Sequence, residues 1–108
     1  MSRKQKTKTE KQHLADVAEL GCIACRMDGF IEFGECQATP HHITTGKGMG
    51  EMRSDFETIP LCYEHHQGKT ISVHGTPEKF RMTFGKETDL LELTKQDLKE
   101  LRAQKIGG

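Results

Sequence analysis

Apolar residues recur at helical spacing in some stretches and at strand-like spacing in others. Leu14, Val17, Ala18 and Leu20 share one face and predict a short helix over 13–20, ended by Gly21. Phe30, Ile31 and Phe33, bounded by Gly29 and Gly34, predict a strand over 30–33. Residues 37–44 are expected to be extended, because Pro40 drives Thr39 out of the helical region. A second strand is predicted over 56–61, with Cys62 at its end, and residues 63–66 open a helix that Gln67-Gly68-Lys69-Thr70 interrupts. Thr76-Pro77 reads as a helix start, with threonine as N-cap and proline in the first position, and that helix should run through Phe80 and Phe84 to Gly85. Residues 87–93 and 95–104 complete a helical C-terminus, divided because Thr94-Lys95-Gln96-Asp97 resembles a capping box with Asp for the usual Glu. Between the strand signals, residues 45–54 hold three glycines with Lys47 and Arg53 and read as a flexible polar loop. No internal repeat interrupts this order. The mixture predicts a small α+β protein.

Length turns this pattern into a stability problem. The chain has 108 residues, 33% hydrophobic and 30% charged, with no tryptophan. That suffices for one small domain with a thin core, the kind that often needs a metal or disulfide staple. No apolar run approaches the ~20 residues of a membrane span, and no apolar stretch follows the basic N-terminus as in a secretory signal. A reducing, cytoplasmic compartment is therefore expected, where paired cysteines favour metal over disulfide.

The zero net charge conceals an asymmetry. Residues 1–13 carry Arg3, Lys4, Lys6, Lys8 and Lys11 against Glu10, a net +4, and the remainder carries −4. With no apolar face, residues 1–13 are expected to form a disordered basic arm able to lie along a phosphate backbone or simply to solubilise the chain. The remaining boundaries are expected at 14–93 for the functional domain and 94–108 for a C-terminal helix and tail.

The staple has four clear candidates. Cys22-x-x-Cys25 and Cys62-x-x-His65 have the spacing of two zinc half-sites, and zinc favours thiolate and imidazole in tetrahedral geometry. The alternatives are a Cys22–Cys25 redox pair or plain buried thiols, and no thioredoxin-like βαβ pattern surrounds Cys22. Cys36 has no assigned partner; it either displaces one of the four or stays free.

Between the half-sites lies His41-His42. Adjacent residues on a strand face opposite ways, so one histidine can hold a metal while the other addresses a substrate. Phosphodiester hydrolysis needs a cation to stabilise charge at phosphorus and the leaving oxygen, a base to activate water, and cationic groups on the phosphates. His41, His66 and His74 are candidates for the metal, His42 for the base, and Lys47 and Arg53 for the phosphates. Each has a plainer reading: His41-His42 as a hydrogen-bonded loop pair, His66 in place of His65 on the zinc, His74 as a surface histidine.

The order Cys22-x-x-Cys25, Thr39-Pro40-His41-His42-Ile43, then Ile59-Pro60-Leu61-Cys62-Tyr63-Glu64-His65-His66 resembles the HNH, or ββα-metal, endonucleases. Within them it is most similar to phage proteins of the Ref type, the recombination-enhancement, RecA-dependent nucleases, through His41-His42-Ile43, Gly46-Lys47-Gly48-Met49-Gly50, the run 56–62, His65-His66, Val73-His74-Gly75 and Phe84-Gly85. The resemblance implies a small zinc-stabilised ββα-metal (HNH, His-Me finger) domain with flanking helices. It also implies a phage-encoded DNA endonuclease working in the bacterial cytoplasm, with a RecA-type filament as partner. His42 would be the general base, and His41, His66 and His74 would hold a single catalytic divalent metal (Zn, Ni, Co, Mg or Mn). Cys22, Cys25, Cys62 and His65 would hold structural zinc. The family's central asparagine is absent, and Asp55 or Glu57 occupies its region as the orienting group. Those departures sustain a second hypothesis, a zinc-stabilised DNA-binding or adaptor module without catalysis.

Overall fold

The computed structural model describes residues 7–29, 36–43 and 54–107. The elements follow the order α1 (Lys8–Glu19), α2 (Ile23–Met27), β1 (Thr39–His42), β2 (Thr58–Leu61), α3 (Tyr63–Gln67), α4 (Pro77–Phe84) and α5 (Glu87–Gly107). The architecture is α+β, with one two-stranded antiparallel sheet. Its register pairs Thr39 with Leu61 and His42 with Thr58. The strand expected over 30–33 and the loop over 45–53, with Lys47 and Arg53, lie outside the described residues.

α1 begins earlier than the apolar spacing suggested. Thr7 and Glu10 close a reciprocal capping box, which satisfies amide groups that the first turn leaves unpaired. Residues 8–13, expected within a disordered arm, are therefore mostly helical; the arm's first six residues lie outside the described set. The helix stops after Leu20, where Gly21 takes φ 80°, a left-handed value that a side chain would strain. Its buried face, Val17 and Leu20, packs on Leu98 and Leu101 of α5. Beside this contact, Asp16 accepts from Arg102 at 3.0 Å and Lys105 at 3.3 Å. Burial alone would push the Asp16 carboxyl up; its bonds to Gln12, Arg102 and Lys105 outweigh that and hold it below the usual range.

The predicted break at Thr94 does not exist. α5 runs unbroken from Glu87 to Gly107, and the buried Thr94 hydroxyl donates to the Leu90 carbonyl at 2.8 Å. A capping signature depends on the preceding turn ending, and here Leu90 and Leu91 are held in the core while Leu98 is held on α1. The boundaries expected at 13/14 and 93/94 thus both fall inside helices. Thr76 precedes α4 as expected, but its hydroxyl caps nothing in that helix and instead accepts from the Ser72 amide at 2.9 Å.

The main core joins α2, β2, α4 and α5 through Ile23, Ile59, Leu61, Phe80, Phe84 and Leu90, with Ala38 and Ile43 entering it from either end of β1. Cys22, Cys25 and Cys62 sit in or against it, so this core and the thiol cluster form one unit. Cys22–Cys25, expected in a tight turn, instead spans the start of α2, with Cys22 as N-cap.

Candidate metal centres and active site

Two helix starts bring the first cluster together. Cys22 is the N-cap of α2 and Cys62 the N-cap of α3, so Cys25 and His65 each fall one turn further on. The Nδ1 atom of His65 lies 3.5 Å from Cys22 Sγ, 3.5 Å from Cys25 Sγ and 3.3 Å from Cys62 Sγ. Cys25 and Cys62 sulfurs are 3.8 Å apart, and all four ligand atoms lie within 4.8 Å of one another. A tetrahedron with metal–sulfur bonds of about 2.3 Å has edges of about 3.8 Å. The donor set therefore fits one four-coordinate metal ion. Burial pushes the Cys22 and Cys25 thiols up; for Cys62 burial is outweighed by its hydrogen bonds, first the backbone one at His65. Deprotonating thiols in such a site requires a cation. Cys36 lies beside the cluster, its sulfur 3.6 Å from that of Cys25, but it is not one of the four mutually close donors.

The second cluster contains His41, His66 and His74, whose ligand atoms also lie within 4.8 Å. Their ring centroids are 5.1 Å apart for His41–His66, 5.1 Å for His41–His74 and 4.7 Å for His66–His74. Burial lowers the His66 pKa, and the neighbouring His41 and His74 lower it further, so His66 favours neutral imidazole, the metal-binding form.

A local device closes the eight-residue separation of His66 and His74. The chain leaves α3 and folds back, the Val73 amide donating to the His65 carbonyl at 2.9 Å and the His74 amide to the His66 carbonyl at 3.0 Å. Ser72 pins the bend: its hydroxyl donates to the Gly68 carbonyl at 2.7 Å and accepts from the Gly75 amide at 2.8 Å. A Cβ on Gly75 would meet the Gly68 carbonyl oxygen at 2.5 Å. Gly75→Ala should therefore displace His74 and weaken metal binding at the three-histidine cluster, leaving one equivalent on the thiol cluster; metal titration of both proteins checks this.

β1 separates the two paired histidines. His41 points inward, its side chain 4% exposed, and its Nε2 meets Glu87 Oε2 at 2.6 Å. His42 is 37% exposed, and its Nε2 meets Asp55 Oδ1 at 2.6 Å. An ionised carboxylate only accepts hydrogen bonds, so Nε2 donates in both pairs, and in a neutral ring Nδ1 then carries the lone pair. For His41 that leaves Nδ1 to a metal, with Glu87 fixing the ring; for His42 it leaves Nδ1 to a proton.

Of the two candidate orienting groups, Asp55 meets the His42 ring with its carboxylate, and the Glu57 backbone carbonyl accepts from the Ile43 amide at 3.1 Å. Sequence reasoning missed Glu87. The available signal was an acidic residue in the first turn of a helix, indistinguishable from an ordinary dipole-stabilising residue. Carboxylates behind metal-bound histidines typically contribute 10- to 100-fold to affinity. Glu87→Gln is accordingly expected to weaken metal binding at the three-histidine cluster by about that factor, measured by competition with a chromogenic chelator.

Among the described residues, no helix is long and apolar enough to cross a membrane. No curated protein matches the sequence. A family model does, over residues 6–99, which takes in both histidine pairs, all four cysteines and most of α5. With that match spanning most of the chain, the protein belongs to the recombination enhancement, RecA-dependent nuclease family.

Proposed function

We propose that this protein is a metal-dependent DNA endonuclease of the HNH, ββα-metal kind, with Cys22, Cys25, Cys62 and His65 holding structural zinc. The observation that carries the reading is the divergence of the two adjacent histidines on β1. His41 joins His66 and His74, while His42 stands apart on Asp55. A metal site and a general base thus sit side by side on one strand, as phosphodiester hydrolysis demands.

Asp55 holds the His42 ring by Nε2, leaving Nδ1 to take a proton from water as that water attacks phosphorus. His41, His66 and His74 would hold a divalent cation, which supplies positive charge to the pentacoordinate phosphorus and the leaving 3′ oxygen when bound. Three imidazoles suit Zn, Ni or Co and leave positions for water and a phosphate oxygen, whereas Mg or Mn would rely on more water ligands. Glu87 orients His41 and strengthens its basicity. Lys47 and Arg53, outside the described residues, are the candidates for phosphate contacts, and the RecA dependence in the family's name supports a recombinase partner, which we take to be a RecA-type filament on DNA. The Ref-type resemblance further suggests a phage protein acting in the bacterial cytoplasm.

The test is nicking of plasmid and of single-stranded DNA, with and without a RecA filament, across a metal titration. Metal-dependent nicking that His42→Ala abolishes supports the endonuclease. Binding of DNA without cutting, filament present, would establish the adaptor reading instead.

A further inference from the structure

A second surface of the molecule has the chemistry of a nucleic-acid subsite. A cleft of about 970 Å³ lies between α1 and α5, lined by Lys8 and His13 from α1, by Lys95, Lys99 and Arg102 from α5, and by Phe56 from the turn that leads into β2. Its one carboxylate, Asp16, is buried and already bonded to Arg102 and Lys105. Lys95 meets Glu92 at 3.4 Å and Arg102 is held by Asp16, but Lys8 and Lys99 form no ion pair with a described residue, so they leave the cleft a net positive character. Phe56 keeps 40% of its surface exposed in the midst of these cations, with the His13 ring edge-on at 4.9 Å. An exposed aromatic lining the same cleft as lysines without a charged partner among the described residues is the pairing that single-stranded nucleic acid recognises, the ring by stacking and the lysines by phosphate contact.

Position adds the link to chemistry. Phe56 follows Asp55, which holds His42 at 2.6 Å. Burial and the Arg102 charge lower the His13 pKa, and the opposing pull comes from Asp16 and Asp55, so His13 lies within electrostatic reach of the carboxylate behind the base. Phe56, on one wall of the cleft, is thus the chain neighbour of the residue that holds His42.

We infer that the cleft between α1 and α5 binds a single DNA strand, with one base stacked on Phe56 and adjacent phosphates on Lys8 and Lys99, and delivers that strand to His42. This rests on the nuclease reading for its direction but not for the binding itself. The strand is single because paired bases within a duplex present no free face to a side chain.

The chain has no tryptophan, so F56W installs a unique fluorophore at the proposed platform. The full-length, zinc-loaded protein carrying F56W and His42→Ala, which prevents cutting, is titrated with an oligothymidylate and with a duplex of equal length. Anisotropy of the labelled DNA is followed in parallel. The expected result is saturable quenching by the single strand, at the concentration that saturates anisotropy, and little by the duplex. Phe56→Ala should weaken single-strand binding about 5- to 100-fold, and Lys99→Gln should lower the slope of log affinity against log salt by about one. Anisotropy binding without quenching, equal quenching by the duplex, or unchanged affinity in Phe56→Ala overturns the assignment. The two readings separate: quenching by a protein whose His42-containing form cuts nothing keeps the cleft and removes the nuclease, and cutting without quenching does the reverse.

Discussion

Cys22→Ser is expected to leave the protein unable to hold the proposed zinc at the thiol cluster and largely unfolded at room temperature. Structural zinc contributes about 10–16 kcal/mol of apparent binding energy in small domains, against a total stability of about 5–15 kcal/mol for a whole domain. Here the coupling is tight, because Cys22 is fully buried within the same cluster as Ile23, Ile59, Leu61 and Phe80. Loss of the metal releases α2 and α3 together, since each begins at a ligand cysteine. Circular dichroism and metal analysis check the outcome. Serine also removes buried sulfur, so the wild type treated with a strong chelator provides the independent measurement and should lose the same ellipticity. His41→Ala makes the contrast: it should retain one tightly held zinc and a folded spectrum. A folded, zinc-bearing Cys22→Ser protein would refute the staple.

His42→Ala is expected to cut DNA about 10²- to 10⁴-fold more slowly, the range for loss of a positioned general base. Folding should be unaffected, because the ring is partly exposed and belongs to neither core cluster. Metal content should also persist, since the cluster of His41, His66 and His74 does not include it. Asp55→Asn should lower the rate in the same direction but less, because an amide still reaches Nε2 yet no longer enforces the tautomer. Plasmid nicking rates with saturating metal and a RecA filament give the comparison. An unimpaired His42→Ala rate would remove the base from His42.

The Cys22–Cys25 and Cys62–His65 pairs were legible in the chain because each is local: three residues along a short helix start bring both side chains of a pair to one place. The paired histidines were legible for the same reason, strand alternation deciding that His41 and His42 part company. The helical C-terminus was misdivided at Thr94 because a capping signature is also local, and whether the chain turns there depends on Leu90, Leu91 and Leu98 having partners elsewhere. The start of α1 was placed late because its first turn has no apolar face and is held by the Thr7–Glu10 box instead. Glu87 was invisible because its contact with His41 spans 46 positions.

What the sequence alone determined is the inventory and its local geometry: α+β elements, two closely spaced ligand pairs, a strand that splits a histidine pair, and a thin core. Only the tertiary structure decided which residues meet. It chose Asp55 to hold the His42 ring, set Glu87 behind His41, and folded the chain after α3 so that His74 joins His66. It also placed Phe56 in a cationic cleft, where four positive side chains from two distant helices converge. Spacing fixes which way neighbouring side chains point, but contacts between distant residues follow from how the buried faces of separate elements pack together, and that information is spread over the whole core.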